Sequence, residues 1–339
     1  MTHPKLKIMG ITLAGILLVT SVVLSLFIFQ MKHFIKTPCT SQERQITFTI
    51  TAGQSLGQVA ANLENQGLIT SQSLFKLYVQ YKKSATRLMA GEYQLSAHTP
   101  PAQILDQLLK GRVKLYRLTI PEGLNMDEIA LLVQRANICD ATPFLSLCRN
   151  TGFIKTLKVN SHSLEGYLYP DTYFFPKQTT CRQVVQKMVA TFHKIYTQEW
   201  KKRTQDLGFS VHEIVTLAAI IEKETGDASE RPLISSVFHN RLKRNMRLES
   251  DPTVIYGDKK FDGRIRTRHL RRKTPYNTYQ LRGLPLGPIA NPGALALEAA
   301  LYPDTTPYLF FVSKNDTTHY FSETLSEHNR AVRKYQLNQ

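Results

Sequence analysis

The sequence is short of acid and short of cysteine, and each shortage removes a class of explanation. Asp and Glu number 26 against 43 Lys and Arg, for a formal net charge of +17. A chain this basic implies an anionic partner: nucleic acid, acidic lipid or an acidic polymer. No helix-turn-helix, zinc-finger or RNP pattern accompanies the positive charge, which argues against nucleic acid. The four cysteines, Cys39, Cys139, Cys148 and Cys181, form no CxxC and no His/Cys ligand spacing, which argues against a zinc site. Cys139 and Cys148 are close enough in sequence to pair in an oxidising compartment; free buried thiols are the alternative. Disorder is also excluded, since 42% of residues are hydrophobic and only 20% charged. The 339 residues suffice for two or three domains.

What is present begins with an uncharged run from Ile8 to Phe29. At about 1.5 Å per residue it spans a hydrocarbon core of roughly 30 Å. A cleaved signal peptide would have a shorter apolar core followed by small residues. Here the run ends in Phe27-Ile28-Phe29-Gln30-Met31-Lys32, and no lipobox-like arrangement precedes Cys39. The run therefore reads as an uncleaved single-pass anchor. Lys5 and Lys7 precede it and Lys32 and Lys36 follow, so flanking charge leaves its orientation open.

Beyond a short linker, a pattern occurs twice, at Thr49–Ala60 and at Thr119–Ala130. Each copy reads as a strand, a Gly turn and an amphipathic helix starting near Ser55 or Asn125. Leu74, Leu77, Tyr78 and Tyr81 continue the first copy at helical spacing, as in a LysM-type glycan-binding module. Further on, Ser163–Phe174 is dense in aromatics, which stack on sugar rings as readily as on one another, and it contains Glu165 beside Gly166.

The sharpest feature is Glu222, which closes the apolar run Ile214–Ile221. A capping box of Ser210 and Glu213 starts this helix, and Val215, Ala218, Ala219 and Glu222 fall on one face. The two alanines let another element or a ligand come close beside the acid. Burial disfavours the charged carboxylate, and so does the negative end of the helix dipole. Both push its pKa up, as a general acid working near neutral pH requires. A second helix is expected from Ser229, with Leu233, Ile234, Val237, Phe238 and Leu242 on one face, and a buried strand at Tyr308–Val312. Between them lie loops rich in Gly, Pro, Asn and Tyr, at 251–257, 275–279 and 283–293, suited to lining a cleft. A basic patch, Arg264–Lys273, matches no motif.

The segments Leu217–Thr225, Ser229-Glu230-Arg231, Val237–Leu242, Met246–Gly257, Tyr276–Tyr279 and Gly283–Gly293, with Leu164–Tyr167, resemble the endolytic murein transglycosylases, the MltG or YceG-like proteins. The resemblance runs over nearly the whole chain. It implies an α+β fold with a cytoplasmic tail at 1–7, a transmembrane helix at 8–30, a linker at 31–44, a LysM-like subdomain at 45–112 and a catalytic domain at 113–339. It also implies an inner-membrane protein with its body outside the cytoplasm, cutting peptidoglycan glycan strands internally near their synthases. The family's catalytic glutamate falls on Glu222; Glu165, Glu224, Asp251, Thr253, Tyr256, Asn277 and Tyr279 are candidate substrate-binding residues by the same resemblance. No metal or cofactor is expected. A glycosidase of the ordinary kind needs two carboxylates. A lytic transglycosylase needs one, because the 6-hydroxyl of N-acetylmuramic acid is the nucleophile. A noncatalytic glycan-binding scaffold and a hydrolase of the same bond are the rival readings.

Overall fold

The computed structural model describes residues 4–258 and 260–337; residues 1–3 of the expected cytoplasmic tail, Lys259, and the last two residues of the expected catalytic domain lie outside the described residues. The chain is mixed α+β and divides into two compact units, the first made of residues up to 116 with 176–178, the second of 117–175 and 179 onward.

The first unit opens with α1 (Pro4–Lys36). Its stretch Leu13–Lys36 has a mean hydropathy of 2.3 and is long and apolar enough to cross a membrane. Large side chains from Leu13 to Phe29 are exposed, whereas Phe34 is buried in the core of this unit. The helix therefore continues into the first residues of the expected linker, to Lys36, because Met31, Phe34 and Ile35 find apolar partners there. Next come β1 (Gln45–Ile50), α2 (Leu56–Asn65), α3 (Gln72–Tyr81), β2 (Gly91–Ser96) and α4 (Pro101–Leu109). The strands pair antiparallel from Gln45 opposite Ser96 to Ile50 opposite Gly91. Phe48 and Ile50 face inward while Thr47 and Thr49 face out, the two-residue period of a half-buried strand.

The second unit begins within β3 (Leu115–Thr119), at Arg117; β3 pairs with β4 (Thr172–Pro176). Between them lie α5 (Met126–Arg135), α6 (Ala141–Cys148) and α7 (Thr151–Thr156). After β4 follow α8 (Cys181–Ile195), α9 (Gln198–Asp206), α10 (Val211–Glu224), α11 (Arg231–Lys243), α12 (Asp251–Ile255), α13 (Thr267–Arg271), α14 (Ala294–Leu301), a hairpin of β5 (Phe310–Ser313) and β6 (His319–Ser322), and α15 (Leu325–Gln336). Every residue of α10 from Ile214 to Ile221 is buried, so this helix is the axis of the core. It packs against α14, and Ala218 and Ala219 are buried in the same core cluster as Ala296, Ala299 and Ala300 of that helix. The close approach that these alanines permit is thus taken by a helix.

Both copies of the repeated pattern take the same local form. Each strand is followed by a turn with a glycine at positive φ, Gly53 at +83° and Gly123 at +76°, and each helix starts with a capping box, on Ser55 and on Asn125. Gly166, at φ +85°, is required for a further reason: a Cβ there would stand 2.6 Å from Pro288 Cγ and 2.7 Å from Val215 Cγ1. Its bare backbone lets the 164–169 turn lie directly on α10.

Cys139 is bonded to Cys181, with Cα atoms 5.6 Å apart, and Cys148 is a free buried thiol. Pairing of Cys139 with Cys148 does not occur. Cys148 ends α6 with its side chain in the core, while Cys181 starts α8, which packs on α6. Burial pushes the Cys148 thiol far up, and the nearby Glu165 charge adds to this.

Candidate active site

Glu222 lies in the last turn of α10 with its side chain only 6% exposed. Two donors meet it. Arg231, at the start of α11, donates from Nη2 to Oε1 at 2.8 Å, and the Gly293 amide donates to Oε2 at 2.9 Å. Gly293 is the N-cap of α14, so its N–H is free to serve the carboxylate. The neighbouring Lys223 bonds the Gly123 carbonyl at 3.2 Å. The loops carrying these groups are tied together by Gly123 N to Asn291 O at 2.9 Å and Asn291 N to Leu124 O at 2.8 Å. Asn291 itself is fully buried; its amide donates to Leu124 O and Glu165 and accepts from Leu168 N.

Glu122 completes the cluster. Its Oε2 lies 3.9 Å from the same Arg231 Nη2, and its side chain is 47% exposed. A Cβ on Gly293 would fall 1.9 Å from Glu122 Oε1, so Glu122 packs onto the bare Cα of Gly293. Burial raises the pKa of Glu222 above the ordinary carboxylate value; the Gly293 amide and Arg231 pull against it, and the Glu122 charge reinforces the rise. Desolvation is the larger effect, as expected where most of the hydration of a carboxylate is lost. Tyr169, buried close by, has its phenol pushed up by burial and by the charges of Glu122, Asp171 and Glu222.

The other sequence-predicted residues separate into three groups. Tyr256 lines a cleft of about 470 Å³ with Gly123, Asn125, Pro252, Ile255 and Lys223, the residue that follows Glu222. Glu165, Thr253 and Asn277 are built into the frame. Glu165 is 3% exposed and accepts from the Met126 amide at 3.0 Å, Tyr256 Oη at 2.8 Å and Asn291 Nδ2 at 2.9 Å. Burial lifts its pKa to about 7. It thereby anchors the first turn of α5 and aims Tyr256. The Thr253 hydroxyl is spent on Ser250 O and Thr278, and the Asn277 amide caps the carbonyls of His269, Leu270 and Arg272. The last of these bonds holds the α13 segment, whose arginines Arg264, Arg266, Arg268, Arg271 and Arg272 are exposed. Glu224, Asp251 and Tyr279 surround a different cavity of about 410 Å³ with Arg241 and Glu249. Glu224 turns away from Glu222, as two residues along a helix must, and accepts from Ser250 Oγ. Tyr279 Oη bonds Asp251 at 2.7 Å. A cavity of about 720 Å³ sits at the opposite end of α10, bordered by His212, Glu213 and Thr216. These residues precede Glu222 by ten, nine and six positions, about 15, 14 and 9 Å along the helix, so it is not the cleft that Glu222 serves.

Glu122, Arg231, Gly293 and Tyr169 are site residues that motif reading did not single out. One signal was present for Glu122. The two repeat copies align Pro121-Glu122-Gly123 with Thr51-Ala52-Gly53, so the acid stands where the repeat departs from itself.

Burial also lifts Glu224 to about 7, with the Asp251 charge adding to the rise and Ser250 and Arg241 opposing it. Since its folded pKa lies above the ordinary value of 4.5, the folded state holds a proton that the unfolded state has released. Its contribution to stability therefore falls as pH rises from about 4.5 to about 7. Gln at this position does not titrate. The thermal midpoint of wild type, relative to Glu224→Gln, should decline across that window; an unchanging difference would show that Glu224 is not held protonated.

The sequence profile of the YceG-like family matches residues 48–334. The chain belongs to the YceG-like family. An endolytic murein transglycosylase of Bacillus subtilis is 34% identical over 305 residues, covering 86% of this chain and 84% of the relative. A protein of the same name from Streptococcus pneumoniae strain D39 is 29% identical over 326 residues, covering 86% of this chain and 58% of the relative. A crystal structure of a YceG-like protein from Listeria monocytogenes superposes with a TM-score of 0.59 at 35% identity, covering 84% of this chain and 98% of that one. The fold described above is thus the family's fold.

Proposed function

We propose that this YceG-like chain is a membrane-anchored endolytic lytic transglycosylase of peptidoglycan, with Glu222 as its general acid and base. The observation that carries the reading is the Glu222 carboxyl, almost fully buried and raised in proton affinity by that burial, next to Lys223, which lines a cleft with Gly123 and Tyr256. The names of the Bacillus and pneumococcal relatives support the substrate class.

In the forward step, protonated Glu222 gives its proton to the oxygen linking C1 of N-acetylmuramic acid to O4 of N-acetylglucosamine. The C1–O bond breaks, and positive charge builds at C1 and the ring oxygen. The carboxylate left behind is stabilised by Arg231 and the Gly293 amide, donors already in place before the reaction. The 6-hydroxyl then attacks C1 and returns its proton to Glu222. A 1,6-anhydro end forms, water is not consumed, and the enzyme is restored. Glu165, through Tyr256 and Asn291, holds the walls of the cleft.

The apolar helix α1 serves as the anchor, with the N-terminus cytoplasmic and both units outside, at the inner membrane beside peptidoglycan synthases. The Cys139–Cys181 bond favours this placement, because disulfides persist in oxidising compartments. The first unit, with its strand–helix–helix–strand order and antiparallel pair, acts as a LysM-like glycan-contacting module. Internal cleavage of nascent strands terminates their elongation. The purified protein acting on long glycan strands should release oligosaccharides of mixed length from the earliest times; a product stream of single disaccharides would refute endolytic action, and no cleavage at all would favour the scaffold.

A further inference from the structure

Arg231 is placed to serve two carboxylates, and it is incompletely committed to either. It gives Glu222 a single hydrogen bond through Nη2 rather than a two-pronged clamp, and Glu122 Oε2 lies 3.9 Å from that same nitrogen. Arg231 Nε is buried and has no hydrogen-bond partner among the described residues. An arginine bonded at 2.8 Å favours the ionised form of Glu222, which opposes the proton-loaded form that the acid step needs. A cation of this kind, whose side chain is 8% exposed, also cannot be left unpaired when Glu222 takes its proton.

We propose that Glu122 is a second functional carboxylate of this site, to which Arg231 transfers its pairing whenever Glu222 is protonated. The proposal rests on the reading of Glu222 as the acid. In the resting acid form, Glu222 carries the proton and Arg231 pairs with ionised Glu122. When the proton leaves for the glycosidic oxygen, Arg231 pairs with the new Glu222 anion. When the 6-hydroxyl gives its proton back, Arg231 returns to Glu122. The cluster goes from one anion and one cation to two anions and one cation as the proton leaves, and the added negative charge faces the positive charge that builds at C1; the return of the proton restores the balance. Glu122 is a positioning residue: it acts through Arg231 and through its charge on Glu222, not by touching the sugar.

Two other groups at Glu222 already have partners: Lys223, on the same helix, is held by the Gly123 carbonyl, and the Gly293 amide bonds Glu222 directly. Tyr169, from the turn before β4, feels the charges of Glu122, Asp171 and Glu222. Among the described residues that face Glu222, Glu122 is the carboxylate that is both half-exposed and within 4 Å of Arg231.

The test is the pH profile of the initial rate of anhydro-end release from sacculi, for wild type, Glu122→Gln and Glu122→Asp, with Glu222→Gln as control. Removing the Glu122 charge takes away one of the influences that raise the Glu222 pKa and strengthens the hold of Arg231 on the Glu222 anion. Glu222 then loses its proton at lower pH. Glu122→Gln should lower the rate near pH 7 by about tenfold and move the alkaline limb of the profile to lower pH. Glu122→Asp, which restores the charge, should keep the limb in place. A Glu122→Gln profile with the limb unmoved, whether at full rate or scaled down at every pH, would overturn the proposal. Activity in folded Glu222→Gln would overturn the reading of Glu222 instead, so the two failures are distinguishable.

Discussion

Glu222→Gln should reduce glycan cleavage by at least about 10²-fold, the lower range of what a positioned proton donor contributes. Glutamine keeps the volume and the helix propensity. Its one oxygen can accept from Arg231 or from the Gly293 amide, while its NH2 meets the remaining donor. That mismatch costs on the order of 1–3 kcal/mol, which a core built around α10 and α14 can absorb. The variant is therefore expected to fold, by circular dichroism, and to bind strands without cutting them. Glu224→Gln is expected to be much milder, because Glu224 faces Ser250 and a separate cavity. Near-wild-type release by folded Glu222→Gln would remove Glu222 from the mechanism. Equal collapse of both variants would leave the acid undivided between the two glutamates.

Gly293→Ala should be nearly as damaging, although it adds one methyl group. The backbone at Gly293 has φ −79° and ψ 177°, which any residue adopts, so strain is not the reason. The clash is: the new Cβ would stand 1.9 Å from Oε1 and 2.0 Å from Cδ of Glu122. Either Glu122 is expelled into solvent or the Gly293 amide moves off Glu222. Displacements of about 1 Å at a reacting centre cost on the order of 10²-fold, and that is the fall in rate expected. The cause can be isolated by a double-mutant cycle. In a Glu122→Ala background the methyl has room, so Gly293→Ala should add little further loss. Additive losses would mean that the glycine is needed for something other than its contact with Glu122.

The readable parts of this chain were those written in consecutive residues. The helices expected from near Ser55 and Asn125 start there, the capping box at Ser210 formed as its spacing implies, and the uninterrupted apolar run before Glu222 became the buried axis of the core. Pairings across long sequence separations were not readable. Cys139 lies nearer in sequence to Cys148 than to Cys181, yet helix packing brings the latter to it. The partners of Glu222 come from residues 122, 231 and 293, and nothing local marks Arg231 or Gly293 as belonging to an acid. Polar residues in the 251–279 segment were legible as special, but not their direction. Thr253 and Asn277 turn inward to satisfy buried carbonyls and hydroxyls, a role that only the closed loops define. Pro252 read as a loop residue, whereas it starts α12, where the missing N–H of proline does no harm.

The central claim is that one buried carboxyl cuts the glycan with the substrate's own hydroxyl as nucleophile. The most direct measurement is the mass of the newly formed N-acetylmuramic acid ends after digestion of sacculi by the wild-type protein in H2¹⁸O. The account predicts 1,6-anhydro ends that carry no ¹⁸O, and their absence from the Glu222→Gln digest. Reducing ends labelled with ¹⁸O would contradict it, because water would then be the nucleophile and the chain a hydrolase.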